Sequence, residues 1–83
     1  MEFVYRTNNV CSAEIRFDMN DNIVTNVRFL GGCNGNLKAI SKLIDGWEAD
    51  RIVAVLEGNT CGRRPTSCAD QLAQAIKLAM SKA

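Results

Sequence analysis

The sequence predicts an α+β fold in which a three-stranded antiparallel sheet is followed by three helices that pack on one face of the sheet. Two observations lead to this prediction. Apolar and polar residues alternate in the N-terminal third of the chain, whereas apolar residues recur at helical spacing from Leu37 onward. Because all the strands precede all the helices, the strands pair as antiparallel neighbours and the helices cover one face.

The three predicted strands are residues 2–5, 12–18 and 23–30. The second strand has the clearest alternation, with Ile15 and Phe17 directed to the same face. The Asn20-Asp21-Asn22 cluster predicts a hairpin turn, because Asn and Asp tolerate left-handed backbone angles. The third strand is rich in β-branched and aromatic residues, and Val27 and Phe29 are its expected inward pair.

Three helices are predicted from their apolar positions, which are Leu37, Ile40, Leu43 and Ile44, then Ala49, Ile52, Val53 and Leu56, then Leu72, Ile76, Ala79 and Met80. Asp45-Gly46 should end the first helix and Gly58 the second. Thr66 or Ser67 is the expected N-cap of the third helix, and Asp70 lies in its first turn, where the helix dipole favours a negative charge.

Composition limits the function classes that suit this chain. Its 83 residues predict a single domain that covers residues 1–83, and 47% hydrophobic with 23% charged residues is the balance of a folded globule. A net charge of +1 gives no field that would attract nucleic acid. No apolar stretch approaches a membrane span of about 20 residues, and the N-terminus has no signal-peptide pattern. We therefore expect a cytoplasmic protein whose thiols are reduced.

Four cysteines are the main candidates for chemistry: Cys11, Cys33, Cys61 and Cys68. Their spacing contains no Cys-x-x-Cys knuckle, but each is predicted to lie at the boundary of a strand or helix. Cys33 and Cys68 lie near predicted helix N-termini, which stabilise the thiolate that binds metal or attacks disulfides. Arg63 and Arg64 would offset the negative charge of a thiolate site, although taken alone they are better explained as a solvated loop face.

Conventional catalysis is not predicted, and no residue is assigned a catalytic role. The chain has no histidine, which excludes Ser-His and Cys-His nucleophile pairs. The acidic residues are scattered over turns and polar faces. Asp70 stands closest to a cysteine, and helix capping is its expected task. The glycine-rich segment 31–36 lacks the lysine of a phosphate-binding loop.

The segments Gly31-Gly32-Cys33-Asn34-Gly35-Asn36-Leu37 and Pro65-Thr66-Ser67-Cys68-Ala69-Asp70-Gln71 resemble the TSCPD domain, especially its small stand-alone members. That family is named for a Thr-Ser-Cys-Pro-Asp motif and includes C-terminal modules of ribonucleotide reductases. Ala69 replaces the motif proline, and alanine should leave the helix start in place. The resemblance implies association with a ribonucleotide reductase. Family-level names include ribonucleoside-diphosphate reductase, but this chain lacks the catalytic barrel and is not expected to be an enzyme alone.

A more distant resemblance is to the U-type iron–sulfur cluster scaffold proteins, which share the order of strands and helices. Cys11, Cys33 and Cys68 correspond to that family's zinc or cluster ligands. Ser67 stands where the family has a histidine, and Ala13 stands where it has an acidic ligand. The resemblance implies a metal site to which the additional Cys61 would contribute the fourth ligand.

Three functions stay open at this point. The first is a module whose four cysteines bind zinc or an iron–sulfur cluster, accessory to ribonucleotide reductase or iron–sulfur metabolism. The second is a dithiol redox partner of a ribonucleotide reductase, in which Cys61 and Cys68 cycle between thiols and a disulfide. The third is a metal-free interaction module that acts through Trp47, through Arg63 and Arg64, or as a homodimer that completes the small core.

Overall fold

The computed structural model describes residues 1–7, 14–31, 35–59 and 67–82, which form four strands and three helices. The strands are β1 (Glu2–Arg6), β2 (Glu14–Asn20), β3 (Ile23–Leu30) and β4 (Trp47–Glu48). The helices are α1 (Gly35–Leu43), α2 (Ala49–Leu56) and α3 (Cys68–Lys82). The antiparallel sheet has the order β1-β2-β3-β4. The α+β class, the antiparallel pairing and the three helices are confirmed.

The predicted number of strands is wrong, because the sheet has four strands and not three. β4 pairs with β3 through Val24 and Trp47. The chain reaches this position through Gly46, whose φ of 86° is accessible to glycine and whose N–H donates to the carbonyl of Val24 at 2.8 Å. A strand of two residues is too short to show alternation, so the sequence pattern does not reveal that Trp47 lies in the sheet.

The turn between β2 and β3 follows the prediction from its sequence. Asp21 and Asn22 have φ angles of 50° and 69°, the left-handed values of a two-residue hairpin turn. Asn22 also joins the turn to α2, because its carbonyl accepts from the N–H of Ala49 at 2.8 Å and its side chain donates to Asp50 at 2.7 Å. The hairpin is thereby anchored to the start of α2.

A β-bulge interrupts the pairing of β2 with β3. Arg16 faces Arg28 and Asp18 faces Thr25, so β3 has one more residue than β2 between these pairs. Asn26 lies in this interval with a φ of 54°, a left-handed angle of the kind found in one class of β-bulge. The register therefore changes within β3.

The bulge changes which side chains of β3 point inward. Asp45 accepts from the N–H of Asn26 at 3.0 Å, which holds the bulge against the end of α1. Val24 and Val27, three residues apart, are both buried, whereas Phe29 is only half-buried. The predicted pair Val27 and Phe29 does face inward, but Val24 is the second fully enclosed position.

One core joins the inner face of the sheet to the helices. Its buried residues are Ile15, Phe17, Met19, Val24, Val27, Ile44, Ala49, Ile52, Leu72, Ala75, Ile76 and Ala79. Leu43 and Ile44 are both expected in the apolar stripe of α1. Ile44, just beyond the helix, is buried as predicted, whereas Leu43 is 69% exposed. None of the helices in the described ranges has the length and apolar character needed to cross a bilayer.

Candidate functional site

Cys68 is the one cysteine that lies within the described residues. It is the first residue of α3, and 7% of its surface is exposed. The other predicted ligands, Cys11, Cys33 and Cys61, lie outside the described residues. Within the ranges that are described, no three Cys, His, Asp or Glu side chains form a group that could hold a metal ion.

Ser67 caps the helix that Cys68 begins. Its Oγ accepts from the backbone N–H of Asp70 at 3.1 Å, and its carbonyl accepts from the N–H of Gln71 at 2.8 Å. This is the N-cap geometry that the sequence predicts, and it selects Ser67 from the two candidates. Cys68 therefore occupies the first helical position, where the helix dipole stabilises a negative charge.

Ser67 also contacts the residue that follows α2. Its Oγ donates to the carbonyl of Asn59, and the side-chain amide of Asn59 donates back to Oγ at 3.4 Å. Asn59 and Ser67 flank residues 60–66 in the sequence. The two residues that flank this segment are thus in contact with each other, next to Cys68 in the sequence.

Asp70 forms a second link between the same two helices. Its Oδ1 accepts from the N–H of Gly58 at 2.8 Å and from the side chain of Gln74 at 3.4 Å, and the residue is 8% exposed. Gly58 has a φ of 81°, the left-handed conformation that ends a helix at glycine. The carboxylate is therefore a structural acceptor that joins the end of α2 to the first turn of α3.

Replacing Asp70 with alanine is expected to lower the free energy of unfolding by about 1–3 kcal/mol, because the N–H of Gly58 would lose its hydrogen bond to a carboxylate. Asp70→Asn keeps an oxygen at that position and should cost less. Urea denaturation of the two variants measures the difference. Equal stability of Asp70→Ala and the wild type would contradict this role.

In the sequence, Cys11 lies shortly before the start of β2, and Cys33 lies shortly after the end of β3. Glu14, the first residue of β2, pairs with Leu30, the last residue of β3. The Glu14 carboxylate accepts from the Nε of Arg16 at 2.7 Å, and this hydrogen bond raises the pKa of the Arg16 guanidinium. Like Asp70, Glu14 is engaged within the fold, so these two acids contribute to structure beside the cysteine-bearing segments.

Trp47, a candidate for an interaction surface, is half-buried. It packs against the hydrophobic core, and the guanidinium carbon of Arg51 lies 4.2 Å from its ring centroid. The ring therefore has contacts with both the core and a cation. Arg63 and Arg64, the other candidates for an interaction surface, lie outside the described residues.

The geometry of Ser67, Cys68 and Asp70 is the structural counterpart of the motif that the sequence suggested. A family model for the TSCPD domain matches residues 3–80. The chain belongs to the TSCPD domain family. Comparison with curated proteins and with solved structures gives no match.

The fold explains what the TSCPD motif does in this chain. Ser67 caps α3 and Asp70 binds the end of α2, so the two polar residues hold the cysteine between them at the helix start. Ala69, which replaces the motif proline, is 5% exposed in the first turn, and α3 begins at Cys68 as expected. Sequence reasoning found the cap but missed the links to Gly58 and Asn59, which no local pattern signals.

Proposed function

We propose that this TSCPD domain is a metal-binding module in which Cys11, Cys33, Cys61 and Cys68 hold one zinc ion or one iron–sulfur cluster. The observation that carries the proposal is the position of Cys68, a buried thiol at the capped N-terminus of a 15-residue helix. A buried thiolate needs compensating positive charge, which the helix dipole and a metal ion both supply.

The donor chemistry fits either group. Four thiolates are a common ligand set for structural zinc and also for iron–sulfur clusters. The acids beside Cys68 and at the start of β2, Asp70 and Glu14, already accept hydrogen bonds within the fold. We therefore assign the ligand role to the cysteines. A zinc ion at this site would stabilise the fold, whereas an iron–sulfur cluster would carry electrons.

Chain connectivity supports convergence of the cysteines in two pairs. Asn59 contacts Ser67, which precedes Cys68. Cys61 follows Asn59 by two residues, so the Cα atoms of Cys61 and Asn59 are at most about 7.6 Å apart. At the sheet end where Glu14 pairs with Leu30, Cys11 and Cys33 each lie three residues away in the sequence, within about 11 Å of chain. The proposal adds that the two pairs meet around one metal.

The proposed role is accessory and not that of an enzyme alone. A TSCPD module of this kind would serve a partner protein, and a ribonucleotide reductase or an iron–sulfur assembly protein is the proposed class. The chemistry requires reduced thiols, so we place the protein in the cytoplasm.

The deciding experiment measures metal content and visible absorbance of the protein purified without oxygen. We expect about one zinc per chain, or the colour of an iron–sulfur cluster, and loss of either in a variant with all four cysteines changed to serine. Asp70→Asn is the matched control, since it alters the same junction but keeps every thiol. A folded native protein without metal would refute the proposal.

A dithiol redox function is the second candidate, and the contact of Asn59 with Ser67 favours it specifically. That contact limits the separation of Cys61 from Cys68 but has no bearing on Cys11 and Cys33. The redox function predicts metal-free protein in which one disulfide forms reversibly and disappears in both Cys61→Ser and Cys68→Ser. Metal-free protein whose thiols do not form a disulfide would instead indicate the interaction module.

A further inference from the structure

We propose that the outer edge of β1 is the contact surface of a homodimer, in which two β1 strands pair antiparallel about a two-fold axis at Val4. The pairing would join the two four-stranded sheets into one continuous sheet. β1 lies at one end of the strand order, and within the described part of the chain its pairing partner is β2. This inference is independent of the proposed metal site.

The hydrogen-bond pattern shows which backbone groups face the outer edge. The N–H of Met19 donates to the carbonyl of Met1 at 3.0 Å, which makes Met1 and Met19 a hydrogen-bonded pair. In an antiparallel ladder such pairs alternate along the strand, so Phe3 and Tyr5 also direct their backbone groups toward β2. The backbone N–H and C=O groups of the intervening residues, Glu2, Val4 and Arg6, consequently point away from the sheet.

The residue order of β1 is self-complementary in the antiparallel direction. With Val4 opposite its own counterpart, Glu2 lies opposite the second copy's Arg6, and Arg6 lies opposite the second copy's Glu2. These are the residues whose backbone groups face outward, so the same register pairs backbone and charge together. On the inner side, Phe3 meets the second copy's Tyr5 as an aromatic pair.

Other antiparallel registers lose this match. A shift by one pair places Val4 opposite Glu2 or opposite Arg6, which leaves a charge facing an apolar residue and shortens the overlap. Charged residues on an edge strand normally prevent pairing with other strands. Here the opposite charges at the two ends of β1 attract a correctly aligned copy, whereas in a shifted register neither charge faces its opposite.

Apolar side chains on both faces of β1 would be covered by the second copy. Val4 is 54% exposed on the outer face of the sheet. On the inner side a small cavity of about 40 Å³ lies between β1 and α3, lined in part by Tyr5, Leu78 and Lys82. Leu78 is 47% exposed beside this strand, so it lies where the α3 helices of two copies would approach each other.

Charge reversal tests the register directly through sedimentation equilibrium. The wild type should be a dimer. Arg6→Glu places two acids opposite each other, and Glu2→Arg places two bases opposite each other. For each variant alone, the dissociation constant of the dimer should therefore rise about tenfold or more. An equimolar mixture of the two variants should recover the wild-type association, because each acidic strand then faces a basic one.

The control is Arg28→Ala, which removes the ion pair between Glu2 and Arg28 (2.7 Å) without altering β1, and it should remain dimeric. Amide hydrogen exchange gives a second measurement, since the N–H of Val4 should be protected in the wild type and exposed in Arg6→Glu. A monomeric wild type, or single variants that stay dimeric, would overturn the proposal. So would a β1 edge that binds an unrelated strand peptide but not its own copy.

Discussion

Removal of the metal by a strong chelator is expected to unfold this domain. The expectation rests on the proposed cysteine site and on the size of the chain. An 83-residue domain buries only about 60% of the surface of its unfolded chain, and its stability is correspondingly small. Structural zinc contributes apparent binding free energies of about 10–16 kcal/mol in small domains, which exceeds the stability that this core alone can supply.

The position of Cys68 links metal loss to the fold. Cys68 lies between Ser67, which caps α3, and Asp70, which binds the end of α2. Without metal, a buried thiolate at this junction would lose its main compensating charge. The packing of α2 against α3, which encloses Ile52 and Leu72, is therefore the part of the core that we expect to loosen first.

Circular dichroism before and after chelation measures the effect, and restoring the metal should restore the helical signal. The variant with all four cysteines changed to serine provides the control, because chelator should leave its spectrum unchanged. Retention of the full helical signal by the chelated native protein would contradict metal-coupled folding.

Elements with a long regular pattern could be predicted from the sequence. The alternation around Ile15 and Phe17 identified β2, and the recurrence of apolar residues through Leu72 and Ile76 identified α3. β4 could not be predicted, since a two-residue strand has no period of its own. Its pairing depends on the contact of Gly46 with Val24, which lies 22 residues away in the sequence.

The bulge in β3 shows the same limit at a single residue. Asn26 reads locally as a polar position in an alternating strand. Its left-handed conformation is stabilised by Asp45 and Asp18, which lie 19 and 8 residues away. Alternation alone therefore selects Phe29 and misses Val24 as the inward neighbour of Val27, because period two fails across a bulge.

The candidate site also combines a local interaction that the sequence predicts with contacts between helices that it does not. The cap by Ser67 is a local interaction within one turn of helix, and residue type alone predicts it. The contacts of the site with the end of α2 are made by Gly58 and Asn59. These contacts depend on the packing of α2 against α3, which no local pattern predicts. Asp70 thus has the predicted position in the first turn but a larger task than capping, since it satisfies a backbone donor of the preceding helix.

Phe17→Ala is expected to lower the free energy of unfolding by about 3–5 kcal/mol, the usual cost of removing a buried phenylalanine ring. Phe17 is fully buried, and its ring stacks on Phe3 with the centroids 5.5 Å apart. It lies opposite the bulge, and with Ala75 and Ala79 of α3 it lines the cavity between β1 and α3. Domains of this length have a total stability of about 4–12 kcal/mol, so the loss would remove a large fraction of it.

The measurement is urea denaturation at one protein concentration and one zinc concentration, so that the proposed metal binding and association contribute equally to each sample. Val55→Ala is the matched control, because Val55 is 58% exposed on α2 and its truncation should change stability by about 0.5 kcal/mol or less. Equal losses in the two variants would mean that Phe17 does not anchor the core. A loss confined to Phe17→Ala would show that the buried ring in the middle of β2 stabilises the fold, whereas an exposed side chain of α2 does not.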